Sequence, residues 1–225
     1  MPDRALLKVC GAVRAADLEL LAGAGADLVG LWHGVPGGHA ELDSRALRAL
    51  AAVRGEPRPV LVTLEPSAAV LDRVLTESGV SAVQLHGYQP PGVVRALKRA
   101  EPCRLVIKVL HLHGTRCPER PLLGAYERAG VDLVLFDPTA SDGRVGSTGR
   151  HADPAALLAL AREVDLPFLV AGGVRPGVAG QFSEVRALPG FAGVDVDSGV
   201  RDLAGALDAG RVRAVRQEWS AAAAA

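Results

Sequence analysis

Residues 131–137 read VDLVLFD, a short apolar run, Leu133–Phe136, that ends next to a carboxylate. Seven similar runs are spaced along the chain, and most of them are continuous rather than alternating. They are Leu6–Cys10, Leu28–Trp32, Val60–Leu64, Ala82–Leu85, Leu105–Val109, Phe168–Ala171 and Gly193–Val196. Strands that are covered on both faces of a parallel sheet have this continuous apolar character. The pattern therefore predicts eight buried parallel strands.

Segments with helical spacing separate the apolar runs. Ala15–Ala24 and Ser44–Val53 carry apolar residues at positions i, i+3 and i+4. Helix starts are marked by candidate N-caps and by prolines that a first turn tolerates. These residues are Asp43, Asp153, Pro66 and Pro154. Strands and helices therefore alternate along the chain.

Regular alternation over 225 residues favours a single (β/α)8 TIM barrel in the α/β class. We assign residues 1–219 to the barrel and residues 220–225, which read SAAAAA, to a low-complexity tail. An open doubly wound sheet is the alternative. The first run is followed by Gly11–Ala12–Val13, which lacks the glycine fingerprint of many open-sheet dinucleotide domains.

Composition and charge exclude several classes of protein. Hydrophobic residues make up 49% of the chain, and 25 basic residues balance 25 acidic ones. This balance argues against disorder and against nucleic acid as a partner. No apolar run approaches the length of a membrane span, and the N-terminus lacks a signal-peptide core. Three cysteines do not make a disulfide framework, so we expect a cytoplasmic protein.

Candidate catalytic residues lie where strands end, because the active site of such barrels forms at that face. Cys10 is either a base or nucleophile or a buried small hydrophobe. Lys8 points to the same side of the strand, and its ammonium would favour the thiolate. Asp137 is either an acid–base group or the cap of a turn. The glycine-rich loop 141–150 is either a lid or a mobile solvent loop.

Glycine pairs follow the last two strands. Gly172–Gly173 and Ser198–Gly199 either present backbone N–H groups to a phosphate or form tight turns. The histidines are less informative, and we place His111 and His113 in a loop after the fifth strand. Their spacing is a poor metal signal, so we expect no metal.

Five motifs occur in order along nearly the whole chain. They are KVCG, QLHG, VLFD followed by a G-S-T-G loop, AGGV and VDVDSGV. Together they resemble the phosphoribosylanthranilate isomerase family, the barrel enzymes of tryptophan biosynthesis. The resemblance spans residues 7–216 and implies an Amadori rearrangement without a cofactor.

The resemblance also implies the roles of individual residues. Asp137 would be the acid that opens the furanose ring, and Cys10 would be the base that removes the C2 proton. Gly172, Gly173, Ser198 and Gly199 would hold the phosphate. Substrate contacts are expected from Lys8, His39, Gln84, His86 and Gly149. The expected partner is a small-molecule substrate, and the expected state is a monomer or a homodimer.

Three departures from the family pattern affect substrate contacts. The loop after the second strand, WHGVPGGHAEL, contains no arginine for the anthranilate carboxylate, and His39 falls nearest to that position. The phosphate loop carries Asp197, whose charge is costly unless it points away or pairs with Arg175 or Arg201. Ala12–Val13 replaces a bulkier residue and a hydroxyl or arginine. Three hypotheses follow: the family's isomerase, a divergent relative acting on another aminated sugar or a non-phosphorylated molecule, and a non-catalytic barrel subunit.

Overall fold

The strands close into a barrel. The computed structural model describes residues 4–138 and 153–220, and in it eight parallel strands pair in sequence order, with β8 returning to β1. This confirms the (β/α)8 barrel over the open sheet. The strands are β1 Leu6–Cys10, β2 Leu28–Trp32, β3 Arg58–Thr63, β4 Ala82–Leu85, β5 Leu105–Leu112, β6 Leu133–Pro138, β7 Phe168–Val170 and β8 Phe191–Val196.

A helix follows each strand and packs on the outside of the barrel. The helices are α1 Ala15–Gly23, α2 Ser44–Ala51, α3 Ala68–Ser78, α4 Pro91–Ala100, α5 Leu123–Ala129, α6 Pro154–Ala161, α7 Ser183–Arg186 and α8 Ala209–Ser220. The side chains of Asp43 and Asp153 accept hydrogen bonds from first-turn amides of α2 and α6, as predicted. Helix α3 begins later than expected: Ser67 is its N-cap, so Pro66 lies before the helix.

Strand β5 is longer than the sequence indicated. It continues to Leu112 and pairs with β6 as far as Pro138. The prediction that His111 lies in a loop is therefore wrong. Because β5 reaches that far, His111 stands beside Asp137 in the register of the sheet.

Two apolar layers fill the molecule. One lies inside the barrel and is built from short aliphatic residues of seven strands, among them Leu28, Ile107 and Leu169. The larger one lies between the strands and the helices and includes Leu21, Tyr126 and other fully buried side chains. The inner layer fills the lumen below the carboxyl ends of the strands.

One arginine joins the last helix to the first strands. Arg216 of α8 donates to the carbonyl oxygens of Ala5 and Gly25 and pairs with Asp27. Helix α8 includes Ser220, whose hydroxyl accepts from the same guanidinium, and residues 221–225 lie outside the described part. No helix within the described ranges is long and apolar enough to cross a membrane.

Candidate active site

A cavity opens at the carboxyl ends of the strands, where the sequence placed the site. Its lining includes Cys10 of β1, Asp137 of β6 and His86 from the loop after β4. The loops after β7 and β8 supply the rest of the wall, with Gly172, Gly173, Ser198 and Gly199 among its residues. Seven of the predicted site residues are thus brought together. Gly149 lies outside the described residues.

Lys8, Cys10 and Asp195 form a buried triad at the floor of the cavity. Lys8 and Asp195 are register partners on β1 and β8, and Cys10 follows Lys8 on the same face. The Lys8 Nζ donates to Cys10 Sγ (2.7 Å) and to Asp195 Oδ2 (2.9 Å). The thiol lies 3.7 Å from the same carboxylate oxygen. Lys8 is fully buried, so the triad is shielded from solvent.

The protonation state of Cys10 differs from the expectation. Burial and the Asp195 carboxylate raise the pKa of the Cys10 thiol to about 12, although Lys8 acts in the opposite direction. Burial also raises the pKa of Asp195, against the effect of Lys8. For Lys8, burial alone would lower the pKa, but Asp195 and Cys10 outweigh it and raise the pKa. Lys8 therefore favours the thiolate, as expected, but burial and Asp195 outweigh its effect, and Cys10 is a thiol.

Asp137 is held against the ring of His86. The amide nitrogen of Gln84 lies 2.9 Å from His86 Nδ1. An amide N–H only donates, so Nδ1 accepts and the ring proton is on Nε2. Nε2 lies 3.4 Å from Asp137 Oδ2 and has no hydrogen-bond partner in the described part of the chain. This N–H therefore lies close to the Asp137 carboxyl group without forming a hydrogen bond to it.

The loops after β7 and β8 form a close pair of backbone turns. Gly172 and Gly173 have φ values of 82° and 78°, a conformation that other residues adopt only with strain. Gly199 approaches the β7 loop so closely that a Cβ would overlap the carbonyl oxygen of Val174. Glycine is therefore required at these positions, as the tight-turn interpretation predicted, and all three glycines line the cavity. The phosphate-binding interpretation stays a prediction.

Two departures from the family pattern lie next to each other. The Asp197 carboxylate accepts a hydrogen bond from Arg201 Nε at 2.6 Å. Arg201 is one of the two arginines that were expected to offset the charge of Asp197. His39, which stands near the position of the missing arginine, places Nε2 3.3 Å from Asp197. Arg201 also donates to the carbonyl oxygens of Cys10 and Gly11. The carboxylate at the phosphate loop is thus neutralised by one cation and contacted by a second basic side chain.

A second buried cluster lies behind the β4 loop, and sequence reasoning missed it. His111 Nε2 lies 3.0 Å from the carbonyl oxygen of His86, and because a carbonyl oxygen only accepts, Nε2 is the donor. The other ring nitrogen, Nδ1, lies 2.5 Å from Glu119 Oε1. Burial alone would raise the pKa of Glu119, but His111 and Lys108 outweigh burial and lower it. The His111–Glu119 contact is therefore charge-assisted and fixes the main chain at His86.

Lys108 belongs to the same cluster and not to the cavity. Its Nζ donates to the carbonyl oxygen of Gly87 (2.8 Å), lies 3.8 Å from Glu119 and contacts the ring of Tyr126 on α5. Burial lowers the pKa of Lys108 to about 8, although Glu119 acts in the opposite direction. Lys108 and His111 together hold two successive carbonyl groups of the loop that carries His86.

No group of three or more metal-ligating side chains is arranged around a common point within residues 4–138 and 153–220. The described lining of the cavity offers an acid and a thiol. A carboxyl group and a thiol that line the same cavity are suited to giving a proton at one atom and taking one at another.

A model of the family described as N-(5'phosphoribosyl)anthranilate isomerase matches residues 7–218. The chain belongs to this family. Among the curated relatives, the N-(5'-phosphoribosyl)anthranilate isomerase of Afipia carboxidovorans is 34% identical over 93% of this chain and 86% of its own length. The enzyme of the same name from Azorhizobium caulinodans is 33% identical over 97% of this chain and 93% of its own length.

Solved structures show the same barrel. The phosphoribosyl anthranilate isomerase of Thermus thermophilus superposes with a TM-score of 0.75 at 24% identity, covering 95% of this chain and 97% of that one. A protein titled TrpF from Jonesia denitrificans gives a TM-score of 0.73 at 28% identity, covering 95% and 96%. A 3-hexulose-6-phosphate synthase from Salmonella typhimurium is also similar, with a TM-score of 0.71 at 16% identity. The barrel is thus shared by enzymes of different name, so the function of this family member rests on its site.

Proposed function

We propose that this protein isomerises N-(5'-phosphoribosyl)anthranilate to the corresponding 1-deoxyribulose 5-phosphate, in the tryptophan pathway. The observation that carries the proposal is the cavity of this family member, which is lined by Cys10, Asp137 and the glycine turns after β7 and β8. In this reaction one sugar carbon is oxidised while its neighbour is reduced. The redox change is internal to the substrate, so no cofactor is needed.

In the first step Asp137 gives its proton to the ring oxygen of the sugar, and the ring opens to a Schiff base. The resulting carboxylate is supported by the Nε2–H of His86, which faces Asp137 Oδ2. The buried contacts of His111 and Lys108 to the same loop hold the imidazole in this position. Gln84 and His86 therefore serve the acid as well as the substrate.

In the second step Cys10 removes the proton from C2, and the enolamine that forms tautomerises to the ketose. The thiol stands at the end of β1, next to β8, whose following loop would help to hold the phosphate. Lys8 contacts the thiol from below and stabilises negative charge on the sulfur. Acid and base thus act on different atoms of one bound sugar.

The two ends of the substrate would be held differently. Backbone N–H groups of Gly172, Gly173, Ser198 and Gly199 suit a phosphate, because all four residues line the cavity and successive backbone amides in turns can form an anion-binding site. His39, a basic side chain of the β2 loop, would contact the anthranilate carboxylate. Gly149 is proposed as a further substrate contact.

The remaining assignments follow from the same site. We propose a small-molecule substrate as the only required partner, a monomer or homodimer as the assembly, and the cytoplasm as the location. Tryptophan-pathway chemistry and the charge balance of the chain support these assignments.

Complementation and kinetics test the proposal. The gene should restore growth of a tryptophan auxotroph that lacks this isomerase. Cys10→Ala and Asp137→Asn should each lower kcat by at least about 10²-fold, because each removes one proton-transfer group. The matched controls are Cys103→Ala and Asp165→Asn, which change exposed residues outside the cavity. Full activity in either site variant, or equal losses in the controls, would refute the assignment.

A further inference from the structure

The triad of Lys8, Cys10 and Asp195 has more contacts than a structural ion pair requires. Asp195 Oδ2 is shared by the Lys8 ammonium at 2.9 Å and the Cys10 thiol at 3.7 Å, with the thiol as donor. The same ammonium also reaches the sulfur at 2.7 Å. Asp195 Oδ1 is buried and has no hydrogen-bond partner among the described residues. Each pair of groups in the triad is therefore in direct contact.

The charges of the triad are balanced before any reaction. One ammonium and one carboxylate are present, and the thiol is neutral. If Cys10 lost its proton to solvent, a thiolate and a carboxylate would share one ammonium in a largely buried site. Other titratable or charged groups lie beside the triad: Asp197, which is paired with Arg201, near Cys10, and Asp137 and His86 near Asp195.

We propose that Asp195 takes the proton of Cys10 and so converts the thiol into the reactive thiolate. The S–H bond of Cys10 breaks and an O–H bond forms on Asp195 Oδ2, along the hydrogen bond that is already in place. Lys8 remains an ammonium and pairs with the sulfur in place of the carboxylate. The net charge of the triad does not change in this step.

Over one turnover the enzyme can return to its starting protonation state. Cys10 takes one proton from the substrate while Asp195 still holds the first, and Asp137 has given one proton to the sugar. The triad therefore holds one proton more than at the start, and Asp137 holds one fewer. Passing a single proton from the triad to Asp137 restores the enzyme. This inference rests on the proposed isomerase function for the identity of the substrate, but the transfer within the triad does not depend on it.

The pH dependence of the thiolate separates internal transfer from loss to solvent. Transfer within the triad gives a thiolate fraction that is independent of pH once Asp195 is ionised. Loss to solvent gives a fraction that climbs about tenfold per pH unit below the pKa of the thiol. We therefore expect kcat of the wild-type protein to change by less than about twofold between pH 7 and pH 9.

Asp195→Asn is the decisive variant, because an amide has the same shape but cannot take the proton. Its kcat should climb about tenfold per pH unit over the lower part of the same range. Asp195→Glu retains a carboxylate and should keep the flat profile, even if kcat falls. A rising profile in the wild-type protein, or equally flat profiles in the wild type and Asp195→Asn, would overturn the proposal.

A second readout does not require isomerase activity. The rate at which iodoacetamide alkylates Cys10 follows the thiolate fraction, and Cys10→Ala supplies the background from Cys103 and Cys117. The rate should be flat with pH in the wild type and rising in Asp195→Asn. If isomerase activity is absent but this contrast is found, the proposed function fails and the proton transfer stands. If activity is present and the contrast is absent, the proton transfer fails alone. Thermal unfolding of each variant confirms that it is folded.

Discussion

Replacing Arg201 with methionine removes the cation that pairs with Asp197 and is expected to weaken the binding of phosphate. The pair is mostly buried, with 15% and 12% of the two side chains exposed, so solvent does not replace the lost charge. Methionine keeps most of the apolar volume of the arginine stem. The carboxylate of Asp197 would then act on the phosphate site without compensation.

The size of the effect follows from the spacing of the chain. Consecutive Cα atoms are about 3.8 Å apart, so a phosphate on the amides of Ser198 and Gly199 would lie roughly 6–8 Å from the Asp197 carboxylate. Coulomb's law with an effective dielectric of about 20 gives roughly 2 kcal/mol per unit of charge at this distance. We therefore expect the Kd for inorganic phosphate to rise at least about 30-fold in Arg201→Met, the value for a single negative charge.

The assay is a titration of inorganic phosphate by calorimetry with three variants. Asp197→Ser alone leaves the arginine cation beside the site, so it should bind phosphate more tightly than the wild type. The double variant removes both charges and should return near the wild-type affinity. If Arg201 acts instead through the carbonyl groups of Cys10 and Gly11, the double variant will not recover. Wild-type affinity in Arg201→Met would refute the electrostatic reasoning altogether.

Three further predictions concern the buried cluster and the phosphate loop. Glu119→Gln should lower the free energy of unfolding, measured in urea, by about 3 kcal/mol, because it breaks the buried charged contact with His111. The exposed control Glu127→Gln should change it by less than about 0.5 kcal/mol, and equal effects would show that the His111–Glu119 contact does not stabilise the fold. The pKa of Lys108 is about 8 in the folded protein against 10.5 for the unperturbed group, so the unfolded chain binds more protons between these pH values. The free energy of unfolding of the wild type relative to Lys108→Met should therefore rise by about 2 kcal/mol from pH 7.5 to pH 10. A difference that stays constant with pH would show that burial does not lower the pKa of Lys108. Gly199→Ala should weaken phosphate binding at least about tenfold, because the added Cβ would overlap the carbonyl oxygen of Val174. In the control Gly180→Ala the added Cβ meets nothing within 4 Å, so phosphate should bind normally, and normal binding in both variants would show that the loop can move to accept the Cβ without loss of affinity.

The fold was predictable because buried parallel strands leave a direct mark on the sequence. Each strand is covered on both faces, so the run Leu133–Phe136 has no polar interruption and could be recognised without knowledge of its neighbours in the sheet. The ends of elements were less certain, since pairing partners set them. Strand β5 extends past Val109 because β6 continues beside it to Pro138, and no local residue pattern records that neighbour.

The candidate site was predictable in position but not in electrostatics. Cys10 and Asp137 could be named from their places at strand ends and from the family motifs. The Asp195 carboxylate that raises the pKa of Cys10 lies 185 residues away in the chain, so the sequence near Cys10 indicated only the influence of Lys8. His111 and Glu119 were missed for a related reason: eight residues separate them, and only the turn after β5 brings them together.

Arg216 holds the two ends of the described chain close together, which allows them to be connected. Its guanidinium binds Ala5 near the first strand and Ser220 at the end of the last helix, on the face of the barrel that lies opposite the cavity. Termini held this close can be joined by a short linker, and the chain can be opened at another loop of the same face. Circularly permuted forms of this barrel should therefore keep an unobstructed cavity, and a second protein domain fused at either end would sit away from the bound substrate.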